Sequence, residues 1–255
     1  MKPKAPPEYM QTEYSLIQIE DTTSRGEPVR LYRQDRAFSS GTFLREEKKY
    51  EIVFDYPKKY EEAFRFLDVR SALMIGGAAY QYPKYYISHH EGSMDVVEID
   101  PMAEKIAREW FFLNDLFEEF GTERLSCITA DARVFLENTK KQYDVIFNDA
   151  FSGSVPVLKL ATLEAMTLYR EHLNEGGIYM ANVIGRVFGE GSEFIKAVIG
   201  TANKVFRHVY VMYTNPNEKD GMNKDNYMIM ASDRELDPND RLTYHVSRFD
   251  KILRD

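Results

Sequence analysis

The sequence predicts an α/β protein: a mostly parallel sheet with helices on both faces, preceded by a small β-rich N-terminal domain. From residue 71 onward, short apolar runs rich in β-branched residues alternate with stretches whose apolar residues recur at helical spacing. Strands regularly separated by helices build a parallel sheet. Before residue 71, apolar and polar residues alternate around a turn containing Gly and Pro, which marks antiparallel strands. A third stretch, MIGGAAYQYP at 74–83, runs a buried strand directly into two glycines, a turn that can bring backbone N–H groups against a ligand.

The elements follow in order. The opening MKPKAPPEYM is charged and Pro-rich with no apolar core, so residues 1–11 read as a disordered tail and not as a signal peptide. Residues 12–56 form the β-rich domain. Within it, YSLIQIEDTTSRGEPVRLYRQ (14–34) gives two short strands, with Leu16, Val29 and Leu31 among the apolar beats. DYPKKYEEAFRFL opens the larger domain, residues 57–255, with a helix start in which Asp55 caps and Pro57 suits the first turn. Strands are expected at 71–76, 94–99, 124–129, 143–148, 177–184, 208–214 and 226–232, and helices at 101–113, 132–139, 160–173 and 192–206. Asp100-Pro101 is a strong helix opening, and Met102, Ile106 and Trp110 make a core-facing stripe. A polar loop alone separates the last two strands, which can therefore pair as an antiparallel hairpin at the sheet edge.

Composition narrows the function. The 255 residues are 44% hydrophobic and 29% charged, ordinary for a globular protein, with a net charge of −8. That charge argues against nucleic-acid and anionic-membrane partners, which reward a basic patch. Cys127 is the single cysteine, so neither a disulfide framework nor a Cys-based zinc site is expected, and a reducing, cytoplasmic setting fits. Adjacent His89 and His90 cannot share a helix face and no carboxylate spacing completes a metal site, so no metal is expected. A small-molecule substrate is the expected partner, with a homodimer left open as the assembly.

Open parallel sheets bind ligands outside the carboxyl ends of their strands, near the point where strand order reverses. Four such ends here carry small or acidic residues: Gly76-Gly77, Glu98-Ile99-Asp100, Ala130-Asp131-Ala132 and Asn148-Asp149-Ala150. Singly each has a structural explanation, as a tight turn or a helix cap. Together they line one edge. The stretch GGAAYQ at 76–81 lacks the G-x-G-x-x-G of dinucleotide binders, and there is no G-x-x-x-x-G-K-[ST] phosphate loop. An acid after the second strand suits ribose hydroxyls and an acid after the third suits an adenine amino group. The set describes a nucleoside without phosphates, such as S-adenosylmethionine or its decarboxylated form.

Residues 71–185 resemble the spermidine-synthase family of aminopropyltransferases, within the Rossmann-like, S-adenosylmethionine-dependent methyltransferase type of fold. MIGGAAYQYP stands where that family has I-G-G-G-D-G-G, VVEID matches its E-I-D ribose segment, and ITADARVFL resembles its G-D-G/A-x-x-F-L segment. YDVIFNDAFSG resembles Y-D-V-I-x-x-D-x-x-D, and FLREEKKYE, with Tyr50, resembles R-D-E-x-x-Y. The resemblance implies a loop of Gly76 and Gly77 around the co-substrate, Glu98 and Ile99 at the ribose, and Asp131 and Ala132 at the adenine. It also implies Asp149 as catalytic base and Tyr50 as a second catalytic residue.

The departures are as informative. The family's loop Asp, which holds the donor's amine, is Ala79 here; the second Asp of D-x-x-D, which helps bind polyamine, is Ser152; and the Gln before R-D-E falls at about Gly41. A charged hydrogen bond contributes roughly 1.5–3 kcal/mol, so these losses point to a changed substrate. The chemistry that remains is attack by an amine on a carbon beside a sulfonium. Asp149, read as exposed and ionised with a reference pKa of about 3.9, takes the proton. Tyr80, Tyr82, Tyr85 and Tyr86 follow the loop closely enough to face the cation, or to pack within a helix. Aminopropyl transfer is what the resemblance implies. Methyl transfer to another acceptor and nucleoside binding without catalysis are the alternatives.

Overall fold

The computed structural model describes residues 6–35, 37–151, 157–217, 220–244, 249 and 251–255. Among them, four strands form an N-terminal antiparallel sheet in chain order: β1 (Tyr9–Gln11), β2 (Leu16–Ser24), β3 (Glu27–Gln34) and β4 (Ala37–Phe43). Two of these escaped the sequence reading. Tyr9–Gln11, expected within a disordered tail, pairs with Leu16–Gln18 of β2. The strand β4 has Phe-Ser-Ser-Gly-Thr at its centre, whose small polar residues weaken the β signal.

The larger sheet has seven strands in the order β10–β11–β9–β8–β5–β6–β7. They are β5 (Ser71–Ile75), β6 (Ser93–Glu98), β7 (Leu125–Thr129), β8 (Tyr143–Phe151), β9 (Leu173–Gly185), β10 (His208–Tyr213) and β11 (Asp225–Ser232). β7, β6, β5, β8 and β9 run parallel, while β11 is antiparallel to both β9 and β10. The expected terminal hairpin is thus real, with β11 tucked inside it. Helices α1 (Gln81–His89), α2 (Pro101–Trp110), α3 (Leu113–Phe120), α4 (Ala132–Asn138), α5 (Leu163–Glu171) and α6 (Glu193–Val205) connect and cover the strands.

Strand alternation divides the core between the sheet's two faces. Ile75, Ile146, Tyr179 and Ala181 belong to one apolar cluster, and Met74, Phe147, Ile178 and Met180 to the other. Where the sequence pattern suggested one helix over 101–113, Phe112 turns left-handed at φ 61° and starts α3 afresh. α1 was given no bounds from the sequence, where helix packing stood only as one reading of its tyrosines, because Tyr80 precedes it at φ 57° and offers no side-chain cap, so the usual start signal is missing. At residues 56–65 the chain makes 3₁₀ turns, and Asp55 pairs with Arg25 and Lys58 instead of capping.

The N-terminal sheet docks firmly on this core. Ile17, Ile19 and Tyr32 pack with Ala79, Ile106 and Phe111 in a shared apolar cluster. Buried Arg30 donates to Asp21 through Nε (2.6 Å) and Nη2 (2.8 Å) and to the Trp110 carbonyl (3.1 Å). Buried Lys84 on α1 donates to Thr42 Oγ1 (3.2 Å) and to the carbonyls of Lys49 and Phe111, while burial pushes its pKa down to about 7. The docking sets one edge of the sheet's carboxyl ends under β3 and β4. No helix among the described residues is long and apolar enough to cross a membrane.

Candidate active site

The strand order turns at β5, which pairs with β6 on one side and β8 on the other. The chain leaving β5 and the end of β8 therefore lie side by side, at the place where open α/β sheets bind ligands. Gly76 sits in this crevice at φ 87°, and a Cβ there would stand 3.3 Å from the Asp149 carbonyl carbon and oxygen. Gly77 is tighter: a Cβ would meet the Tyr80 ring and Val96 Cγ1 at 3.0 Å. Close approach to the Asp149 backbone at Gly76, and to the Tyr80 ring and Val96 at Gly77, favours glycine at both. Beyond them the loop carries side chains where the left-handed conformation favours glycine, at Ala78 (φ 44°) and Tyr80 (φ 57°).

Two cavities meet at this edge. The first, of about 250 Å³, is bounded by Gly76, Gly77, Glu98, Tyr56, Tyr82 and Asp149 from the core and by Ser39 and Ser40 from β4. The second, of about 230 Å³, is an apolar slot between Ile75, Val97, Ile99, Val157 and Leu160, with Asp131, Ala132 and Lys159 at its edge. Gly76, Glu98, Ile99 and Ala150 border both. The strand ends picked from the sequence therefore converge on one joined space.

Glu98 is 9% exposed, and its Oε2 accepts from the N–H groups of Gly77 (2.8 Å) and Ala78 (3.0 Å). Its Oε1 accepts from Asp100 N–H (3.0 Å). The carboxylate thus shapes the glycine loop, and Oε1 keeps a lone pair for a further donor. Asp131 caps α4 by accepting from Arg133 N–H (2.9 Å) and pairs with Lys159. Its carboxylate is held below the usual range by these donors, against the opposing pull of burial.

Asp149 occupies the inner wall of the first cavity. Its Oδ2 accepts from the Tyr56 hydroxyl (3.0 Å) and its Oδ1 from Asn182 Nδ2 (2.9 Å). The buried Tyr60 phenol also neighbours the carboxylate. Burial pushes the carboxyl up to about 7, partly offset by Asn182, Tyr56 and Tyr60. The sequence reading of an exposed carboxylate with an ordinary acid range is corrected here, because the aromatic surround removes water that would stabilise the charge. Beside it, Asn148 Oδ1 accepts from Ala150 N–H (3.2 Å).

Tyr50 does not belong to this site. It packs edge-on against Phe120 (5.9 Å between centroids) and beside the Lys49 ammonium, and borders neither cavity. Tyr56, six residues on, takes the place that had been given to it. Ala79 is fully buried in the apolar cluster beneath the N-terminal sheet. Gly41 likewise faces packing, since a Cβ there would meet Leu31 Cδ2 at 3.2 Å. Ser152 lies outside the described residues. Among the clustered tyrosines, Tyr82 borders the first cavity while Tyr85 stacks on His89 (4.0 Å) and Tyr86 is buried in the core.

The sequence reading missed Tyr56 and Asn182. Tyr56 carried no signal, because its partner is 93 residues away. Asn182 did carry one: an amide inside the apolar run GIYMANVI needs a buried partner.

Residues 43–230 match the spermine/spermidine synthase domain. Over 115 residues the chain is 30% identical to a polyamine aminopropyltransferase of Vibrio vulnificus, covering 43% of this chain and 36% of that protein. Over 122 residues it is 31% identical to an N-terminal histidine N-methyltransferase of Emericella nidulans, covering 46% of this chain and 20% of that protein. The matched segments span about a third of the first curated relative and a fifth of the second. Among solved structures, a probable spermidine synthase from Corynebacterium glutamicum has the same fold, with a TM-score of 0.76 at 23% identity over 91% of this chain and 82% of that one.

Proposed function

The chain belongs to the spermine/spermidine synthase family, and from that premise we propose that it is a transferase acting on an S-adenosyl sulfonium. The apolar slot takes the adenine, with Asp131 and Ala132 at its edge. Glu98 meets the ribose through the acceptor position left on Oε1, and Ile99 covers the joint between the cavities. Gly76 and Gly77 let the backbone approach the co-substrate, with no metal in the reaction. The sulfonium then faces the first cavity.

The observation that carries the reading is Asp149: a buried carboxyl at the strand-order reversal, on the inner wall of the first cavity and beside two hydrogen-bond donors, with its pKa pushed up by burial to about 7. A base is most effective when it titrates near the working pH. The amine nitrogen of the acceptor gives its lone pair to the carbon beside sulfur. The C–S bond breaks with its electrons going to sulfur, and the proton on the new ammonium passes to Asp149. Tyr56 and Asn182 hold the carboxylate's orientation during this exchange.

A second reading has its own support. Ala79 sits in an apolar cluster, so the loop offers no carboxylate to an aminopropyl donor's amine. Together with the likeness to an N-methyltransferase, this favours S-adenosylmethionine as donor and methyl as the group moved. Mass spectrometry of the released nucleoside separates them when the protein is incubated with either donor and a panel of amines. Methylthioadenosine marks aminopropyl transfer and S-adenosylhomocysteine marks methyl transfer. Release of neither nucleoside with any amine in the panel would overturn the transferase reading.

A further inference from the structure

The edge of the apolar slot where Asp131 and Lys159 meet is tied to a segment remote from it in the chain. Buried Phe249 lies so close to α6 that a Cβ on Gly200 would overlap its carbonyl oxygen. Leu253 N–H donates to Thr201 Oγ1 of α6 (3.0 Å), and the Leu253 carbonyl accepts from Leu163 N–H at the start of α5 (2.8 Å). Asp255 then accepts from Thr162 Oγ1 (2.8 Å) and from both terminal nitrogens of Arg133 on α4, Nη1 to Oδ1 (2.6 Å) and Nη2 to Oδ2 (2.8 Å). Residues 249–255 thus touch α6, α5 and α4 in turn.

Arg133 joins the two sides of the slot. Its backbone N–H donates to the Asp131 carboxylate (2.9 Å), while Nη1 also donates to the Lys159 carbonyl (3.2 Å) and to Thr162 Oγ1 (3.3 Å). Asp131 and Ala132 border the slot on one side and Val157, Lys159 and Leu160 on the other, and the Lys159 ammonium pairs with Asp131. The guanidinium has a rival partner: Glu137 Oε1, one turn along α4, lies 3.7 Å from Nη2. The Arg133 side chain is only 16% exposed, so a two-pronged carboxylate fixes the direction of its fork more firmly than a water-screened pair does. Without Asp255 the fork turns toward Glu137 and away from the Lys159 carbonyl.

We propose that the Arg133–Asp255 clamp positions the base-recognition edge of the site, keeping the segment at Lys159 against Asp131 so that the Asp131 carboxylate meets the amino group of the base. Both are positioning residues, since neither borders a cavity among the described residues. The assignment rests on the reading of Asp131 as the acceptor for adenine. Asp131 is held in its charged form by its donors, so it accepts from an amino group and repels a carbonyl in the same place.

Calorimetric titration of the full chain with methylthioadenosine and methylthioinosine tests it, the second carrying a carbonyl where adenine has its amino group. The parent binds methylthioadenosine more tightly. Asp255→Asn and Arg133→Gln each reduce that preference about fivefold, the upper range for a partly exposed ion pair. The two together reduce it no further, because they break one clamp. Glu137→Gln added to Asp255→Asn recovers part of the preference, the guanidinium having lost its rival partner. Arg133→Gln gives the same reading if Asp255→Asn does not fold. Equal binding of the two nucleosides by the parent, an unchanged preference in the single variants, or an equal loss of affinity for both nucleosides overturns the assignment. Failure of the parent to bind either nucleoside removes the functional reading itself, whereas methylthioadenosine binding with the preference intact in the variants removes only the role of the clamp.

Discussion

The Tyr56 hydroxyl donates to Asp149 Oδ2 over 3.0 Å, tying the segment that leaves the N-terminal sheet to the end of β8. The bond favours the charged carboxylate, while burial favours the neutral acid. Removing it therefore moves the titration in a known direction. Tyr56→Phe is expected to shift the acidic limb of the kcat/KM profile upward from about 7, by about one unit at most, with nucleoside affinity unchanged. A pH–rate series on both proteins checks this; superimposable limbs would show that Tyr56 does not set the base.

Asp149→Asn separates catalysis from stability. Turnover should fall about 10²–10⁴-fold, the range for loss of a general base. Stability should move the other way. The folded-state pKa lies above the unfolded one, so the cost of keeping the folded carboxyl charged grows from about pH 4 to 7 and is constant above 7. The Asn variant carries no such cost and should be more stable than the parent at pH 8 by at most about 4 kcal/mol, less what its weaker hydrogen bonds to Tyr56 and Asn182 cost, with the advantage gone near pH 4. Urea unfolding at the two pH values measures it. A variant less stable at pH 8 would make Asp149 a structural group.

Gly76→Ala puts a Cβ 3.3 Å from the Asp149 backbone at a left-handed φ. The expected cost is about 1–3 kcal/mol of stability, with a loss of nucleoside affinity because the loop must shift away from the crevice. Thermal unfolding and calorimetry report the two effects. A variant with native affinity would show that the loop does not approach the ligand.

Ala79→Asp restores the family residue without restoring its setting. The site is enclosed by Ile17, Ile19, Tyr32, Ile106 and Phe111, so the new carboxylate is buried among apolar groups. We expect destabilisation of about 3 kcal/mol or more and no gain in aminopropyl transfer. Increased transfer to a diamine by this single variant would show that the N-terminal sheet yields readily over the loop.

The parallel order, the terminal hairpin and the converging strand ends were legible because β-branched runs and caps such as Asp100-Pro101 are local signals. α1 and the break at Phe112 were not, since both begin at residues with positive φ that sequence gives no reason to expect of Tyr80 or Phe112. In the site, Gly76, Glu98, Asp131 and Asp149 could be picked from the strand ends alone. Replacing Tyr50 by Tyr56 could not, because tertiary packing decides which phenol reaches across 93 residues. Nor could the raised pKa of Asp149, a property of the aromatic wall around it rather than of the motif.

On the proposed function, the joined cavities hold a nucleoside that carries sulfur and lacks phosphate. Calorimetric titration of the full chain with S-adenosylmethionine, its decarboxylated form and methylthioadenosine, in the presence of a metal chelator, is the decisive measurement. Saturable one-site binding of at least one of the three is expected, weakened by about 1–3 kcal/mol in Glu98→Ala, which removes the proposed ribose contact and the anchor of the Gly77 and Ala78 N–H groups. No binding of any of the three would contradict it.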